Sequence, residues 1–407
     1  MTQSKIMIPR EQMESPSARD LFLFLARQIE AFLRIHHNEH YEAHKRRRRQ
    51  VNSAREVFDL GFTFSFPVRQ LGVNNGTLIR WTKGFDLPDA VGKDVCSLLQ
   101  SAIDELDLPV RVAALVNDTV GTLMARSYTS TGKRGSLIGA IYGTGTNGAY
   151  LEELKRITKL KSMEGAEWDK DSVNMVVNTE WGSFDNNLKV LPNTSYDQEV
   201  DANSINPGFQ MFEKRVSGMF LGEILRFVLL SLHRNPSSNL LKPSAISNVS
   251  TPDDSRLFRQ WGIDTSFLSL VEEDTSDDFH GVRDVLKQHL KVVNPSTVEC
   301  EAVRIIAGAV AKRAARLSAV PLAAIIVSTD ALHRSELVDI GVDGSLVELY
   351  PNYEALMREA LRDVPEIGEE GEKRIRIGIS KDGSGVGAAL IALTASKGDT
   401  KNPQKQR

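Results

Sequence analysis

The chain has 407 residues, 41% of them hydrophobic and 25% charged, with a net charge of −3. That length calls for two domains, and the composition for globular ones; the charge balance gives no reason to expect nucleic acid as a partner. Two cysteines, Cys96 and Cys300, cannot build a disulfide framework, and no apolar run reaches the roughly 18 residues a membrane helix needs. No secretory leader is read at the N-terminus, so a cytoplasmic protein with no membrane partner is expected.

An amphipathic helix is expected over 16–35, with Leu21, Phe24, Ile29 and Phe32 on its apolar stripe, Ser15 as cap and Pro16 in the first turn. A polar segment runs from His36 to Arg55. In it His36, His40 and His44 recur at helical spacing, but no Cys partner or water-excluding context accompanies them, and no metal is assigned. The basic run Lys45-Arg46-Arg47-Arg48-Arg49 is expected to be a solvated helix end or loop, with a nuclear address or anionic-surface patch as the alternative.

A strand is expected over 58–66, a turn over 72–77, a short strand over 78–81 and a helix over 94–106. Residues 110–116 form a buried strand, Asp118 stands at its C-terminal end, and a helix follows over 119–128. The second half repeats the pattern: strand 136–142, turn 143–147, return strand 148–152, strand 175–178, long helix 209–233, Ala-rich helix 299–318, and buried strands 322–328 and 375–380. Asp382-Gly383-Ser384-Gly385-Val386-Gly387 opens a helix of small residues over 388–395. The stretches 234–300 and 398–407 carry little chemical information, and the second is expected to fray. Strands alternating with helices imply α/β architecture. Two similar halves suggest a duplicated fold with a cleft between its lobes, and ligands in such sheets gather at the carboxyl ends of strands.

Asp118 is the candidate general base, with helix capping as its structural alternative. Ser65, Thr82, Lys83, Asn117, Glu180 and Glu213 are polar groups at strand ends or helix starts, suited to the hydroxyls around a sugar ring. Local turn bonds and surface charge are their alternatives. Trp81-Thr82-Lys83-Gly84-Phe85 and Asn178-Thr179-Glu180-Trp181-Gly182-Ser183-Phe184 bracket polar groups with aromatic and glycine residues, which suits a formed pocket. Gly143-Thr144-Gly145-Thr146-Asn147 offers backbone N–H groups in a strand–turn–strand setting that can hold phosphate, or an ordinary hairpin turn. Gly383-Ser384-Gly385 opens a helix whose N–H groups could face a nucleotide, or makes a tight turn.

Together these motifs resemble the hexokinase family, most closely its fungal glucokinase type, over about residues 2–396. Phe212-Glu213-Lys214, Ser217-Gly218-Met219 and Gly341-Val342-Asp343-Gly344-Ser345 follow in family order. The resemblance implies the two-lobed, duplicated actin-like ATPase (ribonuclease H-like) fold and transfer of phosphate from Mg-ATP to C6 of glucose or a related hexose, at the entry to glycolysis. It implies a small lobe over 1–118, a large lobe over 119–384, a helix near 385–397 returning to the small lobe, and a tail over 398–407. Asp118 would be the base. Ser65, Thr82, Lys83, Asn117, Asn147, Glu180 and Glu213 would hold the sugar. Gly143, Thr144, Gly145, Gly383, Ser384 and Gly385 would contact the nucleotide; no protein ligand to the Mg²⁺ is assigned.

The chain departs from that family in two places. Members carry an Asp-Leu-Gly-Gly-Thr turn that cradles the ATP phosphates and places Mg²⁺, whereas no Gly-Gly occurs in this sequence. Thr329-Asp330 stands where the family has Thr-Gly, and the added carboxylate is expected to oppose phosphate. A lost preorganised donor costs roughly 10²–10³ in rate, so the expectation is a truncated small lobe, hexose binding retained and turnover weak or absent. The alternatives are a non-catalytic sugar-binding regulator and an incomplete gene model.

Overall fold

The computed structural model describes residues 2–47, 57–82, 84–130, 135–162, 172–244 and 247–401. Of the residues singled out above, Lys83, Arg48, Arg49, Arg55 and residues 402–407 of the expected tail lie outside the described residues. Contacts divide the chain into two compact units: one of Met1–Ala125, Leu151–Val176 and Asp382–Arg407, the other of Arg126–Tyr150 and Val177–Lys381. These lines differ from a division at 118/119, because the helix that follows Asp118 packs within the first unit as far as Ala125.

In the first unit β1 (Phe58–Thr63) runs parallel to β4 (Val110–Val116). Between them in sequence lies an antiparallel hairpin, β2 (Val68–Gly72) with β3 (Asn75–Leu78). The hairpin corrects the expected turn over 72–77 and strand over 78–81. Asn75 and Gly76 look like loop residues, yet a side chain at Gly76 would meet Leu115 at 2.3 Å, so the glycine lets the hairpin lie against β4. Its N–H donates to Asp94 Oδ1 at 2.9 Å, and the same carboxylate caps the helix Val95–Glu105.

The helix Ala18–His36 starts after Ser17 rather than Ser15 and buries Ala18, Leu21, Phe22, Ala26 and Leu33; of the stripe expected above Leu21 is buried, whereas Phe24, Ile29 and Phe32 are half-buried. Within the polar segment a further helix forms, Asn38–Arg47. Tyr41 anchors it, buried, with its hydroxyl donating to Glu30 Oε1 at 2.6 Å. Burial pushes the Tyr41 phenol up to about 12. The histidines serve packing: His36 stacks near Phe32 and His40 near Phe58, at 4.7 and 5.4 Å between ring centres. Among the described residues no group of three His, Cys, Asp or Glu side chains is placed to hold a metal ion, and no helix is long and apolar enough to cross a membrane.

The C-terminal helix Gly383–Lys401 closes the first unit. Its backbone approaches β1 and the helix Asp118–Thr129 so closely that added methyl groups have no room. A Cβ at Gly61 would stand 2.2 Å from the Ala388 carbonyl oxygen, and one at Gly121 2.6 Å from that of Ser384. Ala113, Ala114, Val116, Ala388 and Ala392 form the core of this contact.

The second unit is built on a five-stranded sheet in the order β7-β6-β5-β8-β9, with β5 (Ile138–Tyr142), β6 (Thr146–Glu153), β7 (Asn174–Asn178), β8 (Val338–Asp343) and β9 (Ile375–Ile379). β5 and β6 are antiparallel, whereas β5, β8 and β9 run parallel. β8 carries little strand signal, since Val-Asp-Ile-Gly-Val-Asp places a carboxylate in a buried run. Its Asp339 is 3% exposed and accepts bonds from Arg126 Nε at 2.6 Å and from the Arg376 guanidinium, so the buried charge is paired on both sides.

Two expected elements are corrected. The helix over 209–233 is two, Glu213–Val216 and Leu221–Arg234, because Ser217 turns extended and the Gly218 N–H donates to the Gly143 carbonyl at 2.8 Å. The strand over 322–328 is the last part of one 32-residue helix, Thr297–Ser328. An apolar run of that length suits either period. Pro321 within it gives up the N–H bond to the carbonyl one turn earlier and crowds that carbonyl with its ring, and the helix continues past it; the Ser296–Glu299 capping box fixes the start.

Two predictions follow from this packing. Gly61→Ala must displace the Ala388 backbone, so denaturant unfolding should show a loss of about 1–3 kcal/mol. His233 is buried, its Nδ1 paired with the Leu240 carbonyl at 3.0 Å, and burial holds its pKa below the ordinary value. The unfolded chain therefore takes up a proton first, and stability falls as pH drops below about 6.5. Unfolding measured at pH 7.5 and 5.5 should show a smaller drop for His233→Gln than for the parent chain.

Candidate active site

In the first unit the site residues gather at the carboxyl ends of β1 and β4. The Phe64 N–H donates to the Val116 carbonyl at 2.9 Å, extending the parallel pairing one residue beyond β1. This carries Ser65 to the same sheet edge as Asn117 and Asp118. An aromatic cluster holds the loops there: Phe66 meets Trp81 edge-on at 4.9 Å, and Trp81 stacks on Phe85 at 5.6 Å. Trp81 Nε1 donates to the Leu87 carbonyl at 2.8 Å. Thr82 sits inside this bracket, half-buried, its carbonyl bonded to the Phe85 N–H at 3.1 Å.

Asp118 is the first residue of its helix, and Asn117 does much of the capping. Asn117 Oδ1 accepts the Thr119 N–H at 3.0 Å and the Thr119 hydroxyl at 2.6 Å. Asp118 Oδ1 takes the same N–H at 2.9 Å. Its other oxygen meets no donor among the described residues, and the carboxylate is half-buried at a strand end. Capping therefore does not consume Asp118. The Gly383–Lys401 helix begins beside it in the fold, with the Ser384 backbone against Gly121 in the Asp118 helix and the Thr63 hydroxyl reaching the Ser384 carbonyl at 3.4 Å. At Gly385 an added Cβ would meet nothing within 4 Å, so this first turn is open on that side.

In the second unit the β5–β6 hairpin gathers the rest. Its tip is Gly143, Thr144 and Gly145. The Gly143 and Thr144 carbonyls accept the N–H groups of Gly218 and Met219, and the Gly143 N–H closes onto the Gly145 carbonyl at 3.0 Å. The Thr144 and Gly145 N–H groups have no acceptor among the described residues. Glu213 braces the tip from beneath: its Oε2 accepts the Thr146 N–H at 2.9 Å and would lie 2.7 Å from a Cβ on Gly145.

Two buried cations fix the short helix that presents Glu213. Lys214 Nζ donates to Asp201 Oδ1 and the Asn206 carbonyl at 2.6 and 2.7 Å, and Arg215 donates to the Pro192 and Met211 carbonyls, each at 2.6 Å. Burial pulls the Lys214 pKa below the ordinary lysine value even with Asp201 beside it.

Asn147 and Glu180 meet directly. Asn147 Nδ2 lies 3.1 Å from Glu180 Oε1 and 2.8 Å from Asn178 Oδ1, and Asn178 Nδ2 reaches Glu180 Oε1 at 2.8 Å. Glu180 adopts φ 54°, left-handed backbone that turns the chain sharply out of β7. Trp181 then packs flat on Gly148, where a Cβ would stand 2.1 Å from the ring, and its Nε1 bonds the Thr146 hydroxyl at 3.0 Å. Asn178 is the residue that reading for chemistry missed. Its only signal was its place two positions before Glu180 in an aromatic-flanked segment.

Asp330, where the family pattern has glycine, also holds a left-handed φ of 56°. Its carboxylate is engaged by His333 Nδ1 at 2.5 Å and, more loosely, by Arg334 at 3.9 Å.

Each unit thus carries carboxylates, amides and a glycine turn with N–H groups, the kinds of group that a sugar kinase uses. Hexokinase family models match residues 1–128 and 137–394. A glucokinase of Aspergillus niger is 68% identical over 403 residues, spanning 98% of this chain and 81% of its own length. Glucokinase-1 of Saccharomyces cerevisiae is 43% identical over 412 residues, spanning 97% and 79%. Among solved structures, a hexokinase from Schistosoma mansoni complexed with glucose aligns with a TM-score of 0.77 at 32% identity, covering 96% of this chain and 78% of that one. The chain belongs to the hexokinase family. It is a transferase that phosphorylates hexose, on the α/β fold of the actin-like ATPases, with fungal glucokinases among its relatives.

The close packing of Trp181 on β6 generates a test. Gly148→Ala must push the Trp181 ring away and with it the adjoining Glu180. Misplacement of about 1 Å costs on the order of 10² in rate, so kcat/KM for hexose should fall by about that factor, with a shift in tryptophan emission.

Proposed function

We propose that this chain transfers the γ-phosphoryl group of ATP to the C6 hydroxyl of glucose, the step that admits the sugar to glycolysis, with Asp118 as the base. The observation that carries this reading is the state of the Asp118 carboxylate. One oxygen is oriented by the Thr119 N–H, and the other has no donor among the described residues. A general base needs such an oxygen, held in place yet able to accept a hydroxyl proton.

The other candidate residues divide by chemistry. Ser65, Thr82 and Asn117 offer neutral donors and acceptors to the ring hydroxyls. Asn147, Glu180 and Glu213 offer one amide and two carboxylates, and Lys83 a cation. Carboxylates accept strongly from hydroxyls, and a site that bonds each hydroxyl discriminates against sugars lacking one. Asp118 takes the C6 proton as the oxygen attacks, and the phosphoryl group is passed in line.

The nucleotide fits what this chain offers. The Thr144 and Gly145 N–H groups suit phosphate oxygens, and Gly383, Ser384 and Gly385 start a helix whose first turn has room for a ligand. Mg²⁺ is bound largely through phosphate oxygens and water in such sites, where it neutralises charge on the phosphates. The Arg334 guanidinium beside Asp330 moderates the repulsion that its carboxylate would otherwise add. The two buried, unpaired thiols support a reducing, cytoplasmic setting.

The test pairs calorimetric titration of glucose with an assay of ATP-to-ADP turnover on the same sample. Asp118→Ala should keep glucose binding and lose about 10²–10⁴ in kcat. Glucose binding with no turnover in the parent chain would instead identify a sugar-binding regulator.

A further inference from the structure

We infer that Asn178 is a positioning residue for hexose binding: it orients the Glu180 carboxylate so that one oxygen is held by amides and the other is left for a sugar hydroxyl. The inference rests on the assignment of Glu180 to the sugar made above. The amide polarities run in one direction. The Gly148 N–H donates to Asn147 Oδ1 at 2.8 Å, which commits the oxygen of that side chain. Asn147 Nδ2 must then face outward, where it donates to Asn178 Oδ1 at 2.8 Å and Glu180 Oε1 at 3.1 Å. With its own oxygen occupied, Asn178 turns Nδ2 to Glu180 Oε1 at 2.8 Å. A backbone N–H on β6 thus fixes the orientation of two amides and, through them, a carboxylate.

Glu180 needs this support because its side chain is solvent-exposed and its backbone is left-handed. An exposed glutamate samples several rotamers, and binding sugar to one of them would carry the cost of ordering it. Two amide donors on Oε1 meet that cost before sugar arrives. Oε2 has no donor among the described residues and is the oxygen presented. Asn178 therefore acts through Glu180 and affects ground-state sugar binding more than the phosphoryl step.

The experiment uses the full chain with three substitutions: Glu180→Gln, Asn178→Ala and Asn178→Asp. Glu180→Gln should raise the KM for glucose. Asn178→Ala should raise it about ten-fold, the loss of one hydrogen bond to a charged group, with kcat, the KM for ATP and the unfolding midpoint close to the parent. Asn178→Asp keeps the shape but sets a second carboxylate against Glu180, so its KM for glucose should exceed that of Asn178→Ala. A purely structural asparagine at the end of β7 predicts the reverse order, since the isosteric change would be the milder one. The inference is overturned if Asn178→Asp is milder than Asn178→Ala, or if Asn178→Ala leaves the KM unchanged while Glu180→Gln raises it. An unchanged KM in Glu180→Gln would overturn the assignment of Glu180 itself, and this inference with it.

Discussion

The first unit depends on a contact between backbones. The Gly383–Lys401 helix, from the far end of the chain, lies on β1 and on the Asp118 helix with no side chain between them at Gly61, Gly121 and Gly387. An added Cβ at Gly387 would stand 1.9 Å from the Gly121 carbonyl oxygen. Such proximity sacrifices side-chain burial at those points, and Ala113, Ala114, Val116, Ala388 and Ala392 around them recover only small areas. What it secures is position. The first turn of the C-terminal helix and the first turn of the Asp118 helix are locked to each other to within a fraction of a methyl group. The N–H groups proposed for nucleotide and the carboxylate proposed as base thus belong to one rigid piece.

The second unit reaches comparable rigidity by different means. Its hairpin tip is held through hydrogen bonds to Gly218, Met219 and Glu213, and its return strand is covered by a tryptophan ring lying on Gly148. Glu213 serves two purposes there. It braces the turn by accepting the Thr146 N–H, and it is proposed to meet sugar. A residue with both duties would link the shape of the turn proposed for phosphate to the sugar position, which suits a reaction between the two ligands. The buried Lys214 and Arg215 that fix its helix explain why a cation pair follows Glu213 directly in sequence.

Legibility from sequence followed the locality of the cause. The strand over 110–116 and the helix over 94–106 were plain, because each announces itself through its own period and caps. Asp118 is readable as a candidate because it stands where such a strand ends. The β2–β3 hairpin was missed, since its pairing depends on Gly76 fitting beneath Leu115, a residue 39 positions away. β8 was missed for the same reason: Asp339 is tolerable in a buried strand only because Arg126 and Arg376 arrive from elsewhere. The strand over 322–328 was misassigned, since an apolar run beside a proline reads equally as either period, and the helix that precedes it decided the outcome. Among the residues proposed for the site, candidate types are readable in the sequence, whereas the orientation of the amides of Asn147 and Asn178 is not. That depends on a strand N–H whose direction no sequence pattern reveals.

The carboxylates of this protein fall into two classes by what neutralises them. Asp197 receives both terminal nitrogens of Arg313 at 2.8 and 2.9 Å, Glu223 is forked by Arg226 at 2.6 and 2.7 Å, and Glu372 takes Arg358 at 2.7 Å. Each is nearly inaccessible to water and would be costly to leave unpaired. At Asp197 burial drives the carboxyl pKa up, but Arg313 and Thr194 outweigh it and the net is below the usual carboxylate range. These groups are committed to the fold. Asp118 and Glu180 are handled otherwise: among the described residues neither has a cationic partner, and each is oriented by neutral N–H donors alone. A guanidinium would have fixed them as firmly, but it would also have drained the charge that a base or a hydroxyl acceptor needs. Orientation by amides keeps the geometry while leaving the negative charge available to ligand, and that choice of partner, more than burial or exposure, sets the two carboxylates proposed for chemistry apart from those committed to the fold.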